Sequence, residues 1–483
     1  MTETITGAVE RHAATRPADP ALHWQGAEVT YGELAEAMRA AAAGVAGLAP
    51  GPVGVCAKKS PQAIAFVLGC LRAGRTVVLP SPTLPAETLT ELFERAGAGT
   101  VVTAADLEQA TTGDHQAEVH SDDNAFMLTT SGSTGVPKLV PLAVGGIERF
   151  TGWVHDEFDV GPGRRVLNYS PLNFDLCLFE IWSTLRRGGC VVLVDPEIAA
   201  DGGALLDLLA TTEPHVVQAV PLFYQLVADA ADARGAELTL PSVEHVIFTG
   251  DAMTPARLPR LRALFPSTRM HNIYGCTETN DSFRYELRDG DEERTALPLG
   301  RPLPGVHADL VSDGAILTGP GTGELVVRTP FQSPGYHNSS AGDGAFGDHP
   351  VRRDGHRHFR TGDLVRRDEH GELSLAGRAD FRVKVRGQQV YLQHVEEVLL
   401  GSADVLEAVA IAVPDEHAGK RLHVVVRRRD DSRLNSLVLR KYLAERLPPA
   451  AIPSTLSIGV DPLPRTSTGK VDRQHLVLMS EKR

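Results

Sequence analysis

The sequence predicts an α/β protein with mostly parallel sheets, followed by a small α+β module. From residue 31 to about residue 193, helical patterns such as 32–48 alternate with short Val-rich runs such as 53–56. The alternation resumes with the runs 216–220 and 243–249. Such alternation is typical of parallel sheets covered by helices.

The pattern of predicted strands, helices and turns changes after residue 297 and again near residues 377–380. Short runs such as 324–328 lie between Gly and Pro turns, which predicts a small β-barrel subdomain. The last part has a strand, helix, strand order that suits a module of about 100 residues. We therefore expect an N-terminal core over residues 1–379, with two mostly parallel α/β subdomains and the β-barrel, and a small mobile C-terminal domain over residues 380–483.

Composition excludes several classes of protein. A net charge of −13 opposes nonspecific attraction to nucleic acids and to anionic membranes. The five cysteines lie far apart in no metal-ligand spacing, which favours reduced thiols. The N-terminus has no apolar signal segment, and no apolar run approaches the roughly 20 residues that span a bilayer. We expect a cytoplasmic protein without nucleic acid or membrane partners.

The loop 128–138, LTTSGSTGVPK, is the strongest functional signal. Gly132 and Gly135 let backbone N–H groups approach an anion, the Thr and Ser hydroxyls donate hydrogen bonds, and Lys138 adds positive charge. A solvated Ser/Gly turn is the structural alternative, and the spacing does not match a Walker loop. The residues predicted to hold phosphates are Thr129, Thr130, Ser131, Gly132, Ser133, Thr134, Gly135 and Lys138.

Further segments follow this loop in a fixed order over most of the chain. They are NFDLCLFEIW (173–182), NIYGCTET (272–279), GELVVR (323–328), FRTGDLVR (359–366), GRADFRVKVRG (377–387) and PRTSTGK (464–470). Together with the loop, they closely resemble the signature segments of the adenylate-forming superfamily, which includes acyl-CoA synthetases and the adenylation domains of nonribosomal peptide synthetases. The resemblance implies that ATP activates a carboxylic acid as an acyl-adenylate, with release of pyrophosphate.

The resemblance also implies roles for single residues around ATP. The reaction brings two anions together, so cations and fixed donors carry the catalysis. Glu278 would hold Mg²⁺, Thr277 would contact phosphate or adenylate, and Tyr274 would stack on adenine. Asp363 would accept hydrogen bonds from the ribose hydroxyls, and Arg378 would support the same sugar. An Asp-containing turn is the structural alternative for the TGD segment.

Lys470 is the main catalytic candidate, again by resemblance. In the family, a lysine at this position enters the active site from the small domain and bridges the reacting carboxylate and the α-phosphate. Asp380 matches the hinge about which the small domain is expected to rotate between adenylation and a second, thioester-forming half-reaction.

Asp175 discriminates between substrate classes. It aligns with the aspartate that amino-acid-activating domains pair with the substrate ammonium, and burying an ammonium without such a partner is expensive. The alternative is a helix N-cap aspartate. Asp281 would bind a second amino group or an amino group on the β-carbon, or it would point away. The other predicted lining residues are mostly apolar and imply a side chain of modest size: Phe174, Leu176, Phe179, Ala219, Ile247, Thr249, Gly250, Ile273, Gly275 and Ser282.

The acceptor of the activated acid is left open between two candidates. The sequence has no carrier domain after Lys470, so we expect a separate acyl carrier protein, as in natural-product pathways. CoA is the alternative acceptor, because the segment RGQQVYLQHVEEVL leans toward the form seen in CoA ligases. A noncatalytic relative and a kinase, which would release ADP, are the remaining hypotheses.

Overall fold

The computed structural model describes most of the chain. The described residues are 3–108, 115–130, 137–235, 238–337, 344–379, 382–385, 388–415, 419–447, 449–465 and 471–481. Within these ranges, no helix is long and apolar enough to cross a bilayer.

The first part of the chain forms a five-stranded sheet flanked by helices. Its strand order is β5-β3-β4-β6-β7, in which β3 to β6 pair in parallel and β7 is antiparallel to β6. The elements are α1 (Ile5–Thr15), β1 (Pro20–Trp24), β2 (Ala27–Thr30), α2 (Tyr31–Ala46), β3 (Val53–Cys56), α3 (Pro61–Arg72), β4 (Val77–Leu79), α4 (Ala86–Ala96), β5 (Thr100–Thr103), β6 (Asn124–Thr130) and β7 (Lys138–Ala143).

Side-chain caps set where the helices of this part begin. Thr30 and Glu33 form a reciprocal capping box at the start of α2: the Glu33 N–H donates to the Thr30 hydroxyl (3.2 Å), and the Thr30 N–H donates to the Glu33 carboxylate (2.8 Å). The Ser60 hydroxyl accepts from the Ala63 N–H at the start of α3 (3.1 Å). The predicted helix 32–48 is therefore shifted by one or two residues at its ends, as α2.

The middle of the chain forms a nine-stranded sheet. Its order is β14-β13-β12-β11-β10-β8-β9-β1-β2, and the strands from β12 through β1 run in parallel. The new elements are α5 (Val144–Phe158), β8 (Arg165–Asn168), a π-helix (Leu178–Ser183), α6 (Thr184–Arg187), β9 (Cys190–Leu193), α7 (Gly202–Thr212), β10 (Val216–Ala219), α8 (Pro221–Ala233), β11 (His245–Phe248), α9 (Leu258–Leu264), β12 (Arg269–Cys276), β13 (Asn280–Glu286) and β14 (Arg301–Pro302). The expectation of largely parallel α/β sheets is confirmed.

A six-stranded antiparallel sheet follows. Its order is β16-β15-β17-β19-β18, and β20 also pairs with β19. Its strands are β15 (His307–Ser312), β16 (Ala315–Ile316), β17 (Gly321–Arg328), β18 (Phe346–Asp348), β19 (Arg357–Arg367) and β20 (Leu373–Arg378). It contains the long strands that place Asp363 and Arg378 side by side, since these residues are register partners.

The last part of the chain is a small α+β unit. A two-stranded hairpin, β21 with β22, precedes a three-stranded sheet of order β23-β24-β25. Its core cluster draws only on residues from Val390 onward, whereas the clusters of the preceding sheets contain none of them. Its elements are β21 (Arg382–Val385), β22 (Gln388–Tyr391), α10 (Leu392–Leu400), β23 (Val405–Asp415), β24 (Gly419–Arg428), α11 (Ser436–Ala444), β25 (Thr455–Gly459) and α12 (Arg473–Glu481).

Candidate active site

Two parallel strands of the large sheet, β10 and β11, end at one level and form the back wall of the site together with β12. The register pairs Ala219 with Phe248 and Phe248 with Asn272, so β10 and β11 end beside the middle of β12. The Thr249 N–H donates to the Ala219 carbonyl (3.3 Å), which holds the segments after the strands together. The carboxyl ends of parallel strands are where α/β sheets bind their ligands.

The register also decides which side chains face the site. Gln218 pairs with Ile247, and side chains alternate along a strand, so these two residues share a face while Ala219 points to the other side. Ala219 packs there with Phe248 in a separate core cluster, whereas Ile247 belongs to the main cluster together with Ile273. The prediction of Ala219 as a lining residue is therefore wrong by one position. Gln218 is the residue of β10 on the face of Ile247.

The hairpin of β12 and β13 closes one side of the site. Thr277 and Glu278 lie in its turn, directly after Cys276 ends β12. Asp281 pairs with Gly275 at a bulge. A side chain at Gly275 would approach the Asn280 carbonyl to 2.3 Å, so only glycine permits the two strands to come this close. Asp281 thereby follows Ile273 and Gly275 on the side of the sheet that Ile247 shares.

Tyr336 contacts two charged residues that lie in different sequence motifs. Its hydroxyl donates to Glu278 Oε1 (2.8 Å), and Lys138 Nζ lies 4.4 Å from the centre of its ring. Lys138 is the register partner of Thr130 at the base of the signature loop. Lys138, at the end of the predicted phosphate loop, and Glu278, the predicted magnesium ligand, therefore both contact Tyr336. Sequence analysis missed this tyrosine, although it stands in an SPGYHN segment shortly after the GELVVR motif.

The surroundings of Glu278 fit a magnesium ion shared with a nucleotide. The side chain is 8% exposed, and the one hydrogen bond that described residues make to its carboxylate leaves Oε2 available. The described residues hold no group of three or more His, Cys, Asp or Glu side chains that could bind a metal ion by themselves. Mg²⁺ is commonly held by one or two carboxylates together with substrate phosphates.

Asp363 lies between two of the predicted nucleotide-binding residues. Its carboxylate accepts a hydrogen bond from the Tyr274 hydroxyl, and Arg378 Nη1 donates to its Oδ1 (3.0 Å). The Asp363 N–H donates to the Thr361 hydroxyl (3.0 Å), and Gly362 has a φ of +71°, a left-handed conformation that suits glycine. The tyrosine of the YGCTET segment and the aspartate of the RTGD segment thus form one unit with Arg378.

Asp175 is not the N-cap of the helix that follows it. That helix is the π-helix Leu178–Ser183, its N-cap residue is Cys177, and no side chain caps it. The charge of Asp175 acts instead on Cys276 and Asp281, so Asp175 lies within electrostatic reach of the hairpin of β12 and β13. The alternative hypothesis that Asp175 is the N-cap residue of this helix is therefore wrong.

A buried network lies beneath the loop that carries Asp175. Lys59 Nζ donates to the backbone carbonyls of Asn168 and Tyr169 (both 2.9 Å) and of Ser170 (3.1 Å). Glu180 accepts from the Ser170 hydroxyl (2.8 Å), the Ser170 N–H (3.1 Å) and the Asn168 amide (2.6 Å). Burial lowers the pKa of Lys59 to about 8 and raises the pKa of Glu180. The network fixes the start of the loop through both its backbone and its side chains.

Asp281 is a carboxylate without a partner among the described residues. Burial raises the pKa of its carboxyl to about 8, and the nearby negative charge of Asp175 adds to the rise. Gln218 shows a related deficit, because its Oε1 is buried and accepts no hydrogen bond from the described residues. Its amide nitrogen donates to the Leu176 carbonyl and to Glu180 Oε1 (both 3.4 Å). This side of the site thus offers acceptors and lacks donors.

The remaining predicted residues are placed as follows. Phe179 is fully buried and packs its ring edge-on against Phe158 (5.2 Å between centres), and Ser282 is also buried, its hydroxyl 3.3 Å from the Asn280 carbonyl. Phe174 and Leu176 flank Asp175 and are partly exposed, and Gly250 follows Thr249 with a φ of +78°. Thr129 ends β6 beside Thr130. Ser131, Gly132, Ser133, Thr134, Gly135, Asp380 and Lys470 lie outside the described residues.

The two ends of the segment 466–470 are joined and anchored. Arg465 and Val471 form an antiparallel bridge, and the Asp472 N–H donates to the Pro464 carbonyl (2.8 Å). Arg473 makes two hydrogen bonds to the buried carboxylate of Glu396, one of them at 2.7 Å. The base of the predicted catalytic segment is thus fixed to α10.

Comparison with known proteins places the chain among characterised relatives. It is 28% identical over 511 residues to the D-alanine–D-alanyl carrier protein ligase of Bacillus cereus, covering 97% of this chain and 98% of that protein. It is 32% identical over 357 residues to the L-proline–[L-prolyl-carrier protein] ligase of Pseudomonas fluorescens, covering 74% of this chain and 68% of that protein. The fold is similar to that of o-succinylbenzoate CoA synthetase from Bacillus subtilis, with a TM-score of 0.82, 21% identity and 97% of both chains covered.

Family models match both parts of the chain. The AMP-binding enzyme model matches residues 9–119 and 105–337, and the AMP-binding enzyme C-terminal domain model matches residues 394–470. These matches include the signature loop, the hairpin turn with Glu278 and the segment that ends at Lys470. The chain belongs to the AMP-binding enzyme family of adenylate-forming ligases.

Proposed function

We propose that this ligase activates an amino acid as its aminoacyl-adenylate and then transfers the aminoacyl group to the phosphopantetheine thiol of a separate carrier protein. The observation that carries the proposal is Asp175, an aspartate whose charge acts on Asp281 of the β12–β13 hairpin and which does not cap its helix. An ammonium group needs such an acceptor when it leaves water. Two relatives named as amino acid–carrier protein ligases support the same substrate class.

In the first half-reaction, a carboxylate oxygen of the amino acid attacks the α-phosphorus of ATP. The new O–P bond forms as the bond between the α-phosphorus and the bridging oxygen breaks, and pyrophosphate leaves with the electron pair. The phosphates would be held by the positive charge of Lys138 and by hydrogen bonds from the hydroxyl-rich loop and Thr277. Lys470 would bridge the carboxylate and the α-phosphate. Mg²⁺, held by Glu278, would supply Lewis-acid stabilisation of the phosphate oxygens.

The nucleoside part of ATP would be held by the unit of Tyr274, Asp363 and Arg378. Asp363 would accept the ribose hydroxyls, since a carboxylate accepts several hydrogen bonds at once and those from Tyr274 and Arg378 hold this one in place. The Tyr274 hydroxyl is committed to Asp363, so its ring is held in a fixed orientation for stacking on adenine.

In the second half-reaction, the thiolate of the carrier attacks the acyl carbon of the adenylate. A C–S bond forms, the C–O bond to phosphate breaks, and AMP leaves. We assign the boundary between the two domains to residues 379 and 380 and the hinge to Asp380. The separate core of the last part of the chain supports a rotation of that part as one body.

We further place the enzyme in the cytoplasm, in the biosynthesis of a natural product such as an antibiotic. The five cysteines are all free, which suits a reducing compartment.

The test is ATP–pyrophosphate exchange with a panel of amino, aryl and fatty acids, followed by mass spectrometry of the acceptor. We expect exchange that depends on an amine-bearing acid, and a mass increase on a carrier protein with its phosphopantetheine arm attached. CoA, offered at equal concentration, tests the rival acceptor. Exchange with aryl or fatty acids alone would refute amino acid activation, and preferential formation of an acyl-CoA would refute the carrier as acceptor.

A further inference from the structure

Asp281 adds a second carboxylate to the substrate side of the site, besides the one to which the proposed function assigns the α-ammonium group. The charge of Asp175 acts on Asp281. An α-ammonium group bound at Asp175 would leave Asp281 as an isolated charge, or force it to hold a proton. Either state is costly in a buried site.

No described cation offsets this second carboxylate. The described influences on Asp281 are its burial and the charge of Asp175, and no described lysine, arginine or histidine is among them. The Asp281 carboxylate accepts no hydrogen bond from the described residues. Arg284, the nearest cation along β13, is committed elsewhere: its guanidinium binds Glu157 (2.9 Å) and Glu286 (3.3 Å).

Gln218 gives a second and independent sign that a donor is lacking. It is 1% exposed, and its Oε1 has no described donor, although it lies on the strand face that Ile247 and the pocket share. Buried acceptors in native proteins are nearly always satisfied, and an unsatisfied one calls for a missing donor. The Asp281 carboxylate and the Gln218 amide oxygen are each acceptors that an ammonium group can satisfy.

The position of Asp281 distinguishes it from the carboxylate that serves the common part of the substrate. Asp175 lies on the loop before the π-helix, whereas Asp281 lies across the site on β13, opposite Gly275. The absence of a side chain at Gly275 lets the hairpin strands approach closely beside Asp281. A group bound by Asp281 is therefore attached to a different part of the substrate from a group bound by Asp175.

We infer, on the basis of the proposed function, that Asp281 determines specificity by binding a side-chain ammonium group, and that the substrate is a diamino acid. The α-ammonium binds Asp175, and the second ammonium binds Asp281. Each ammonium then pairs with one carboxylate, and the apolar residues Ile247 and Ile273 pack around the carbon chain between them.

The experiment measures kcat/KM for ATP–pyrophosphate exchange with matched pairs of substrates. The diamino acids are 2,3-diaminopropionate, 2,4-diaminobutyrate, ornithine and lysine, and each is paired with the monoamino acid of the same chain length. β-Alanine and 3-aminobutyrate test an amino group on the β-carbon. We expect the best diamino acid to exceed its monoamino partner by about 100-fold, because a site built around a polar group rejects the analogue that lacks it.

A substitution identifies the residue responsible. In Asp281→Asn, we expect the preference for the diamino acid over its partner to fall from about 100-fold to within about threefold. The matched control is Asp289→Asn, which changes a fully exposed aspartate beyond the same hairpin and should keep the wild-type preference. If Asp281→Asn does not fold, the inference is tested by the wild-type ratios of kcat/KM for each diamino acid to its monoamino partner.

The outcomes separate this inference from the proposed function. Exchange with monoamino acids at least as fast as with every diamino acid overturns the inference and leaves amino acid activation intact. A preference for β-amino monoacids also overturns it. No exchange with any amine-bearing acid overturns both. An unchanged preference in Asp281→Asn assigns the second ammonium elsewhere and refutes the role of Asp281.

Discussion

Tyr336 links the phosphate side and the metal side of the site at the scale of a single residue. Its hydroxyl fixes Glu278, and its ring lies under Lys138. We expect Tyr336→Phe to raise the Mg²⁺ concentration needed for half-maximal exchange by about tenfold, because a hydrogen bond to a charged acceptor contributes about 1.5–3 kcal/mol. The KM for the amino acid should change little. The measurement is exchange activity titrated with Mg²⁺.

Tyr442→Phe is the matched control, since that tyrosine lies on α11 of the small C-terminal unit and stacks with Arg446. It should leave the Mg²⁺ dependence unchanged. If Tyr336→Phe shifts the KM for the amino acid and not the Mg²⁺ dependence, Tyr336 does not act through Glu278.

Asp281 also makes stability depend on pH. Its pKa is raised to about 8 in the folded protein, whereas an unfolded aspartate has a pKa of about 3.9. The folded state therefore holds a proton that the unfolded state has lost, and Asp281 destabilises the fold increasingly as pH rises from about 4 to about 8. We expect ligand-free Asp281→Asn to melt at a higher temperature than the wild type, by a margin that grows from pH 5 to pH 8. Thermal unfolding at several pH values measures this.

Thermal unfolding above about pH 8 serves as the control for this prediction. Above about pH 8 the margin should level off, because Asp281 is then ionised in both states. A margin that is constant from pH 5 to pH 8, or that shrinks, would contradict the raised pKa of Asp281.

The sequence motifs name Glu278, Asp363 and Arg378, and the structure brings Asp363 and Arg378 into contact, but the motifs do not give side-chain direction. Ala219 was chosen in place of Gln218, since a motif alignment without a strand register does not tell which neighbour faces inward. The register that pairs Gln218 with Ile247 identifies Gln218 as the residue on that face.

At the scale of an element, the loop between β8 and the π-helix depends on a buried lysine. Lys59 binds three consecutive carbonyls of residues 168–170, and its side chain is 4% exposed. We expect Lys59→Met to lower the free energy of unfolding by about 3 kcal/mol, as breaking a buried ionic network does. We also expect it to raise the KM for the amino acid more than the KM for ATP, because the loop carries Asp175.

Lys58→Met is the control for this prediction. Lys58 is the neighbouring residue, largely exposed, and pairs with Glu197 on the surface. It should change unfolding by less than about 1 kcal/mol. Equal effects of Lys59→Met on both KM values would show that the network stabilises the fold without positioning the loop. Denaturant unfolding and exchange kinetics are the two measurements.

The elements themselves were predicted to within a few residues where periodicity and caps agree. The helix predicted over 32–48 is α2, and the run 53–56 is β3. The π-helix was not predicted, because an i to i+5 pattern leaves no distinct signature in a single sequence. It lies directly after Asp175, which is consistent with the occurrence of π-helical turns at functional sites.

At the scale of the whole molecule, the two proposed half-reactions require two arrangements of the last part of the chain. That part has its own core, and one direct contact to the large domain is the hydrogen bond from Arg257 to the Leu406 carbonyl (3.4 Å). We expect Lys470→Ala to lower adenylate formation by at least about 100-fold, because its charge would act in a site of low polarity. Transfer from a preformed adenylate should fall by less than about threefold, since the other arrangement carries it out.

Single-turnover assays of the two half-reactions measure this separation. Lys441→Ala, on α11, is the control lysine in the same unit and should leave both steps unchanged. Equal loss of both half-reactions in Lys470→Ala would contradict the assignment of Lys470 to adenylation alone.

Exchange of pyrophosphate into ATP, compared between the wild type and Asp175→Asn, tests amino acid activation by this site. We expect the wild type to exchange with an amino acid and not with the same acid lacking its amino group. We also expect Asp175→Asn to lose about 100-fold or more of kcat/KM for the amino acid, as when one partner of a buried charge pair is removed. Equal exchange with the deaminated acid, or an Asp175→Asn variant as active as the wild type, would contradict amino acid activation by this site.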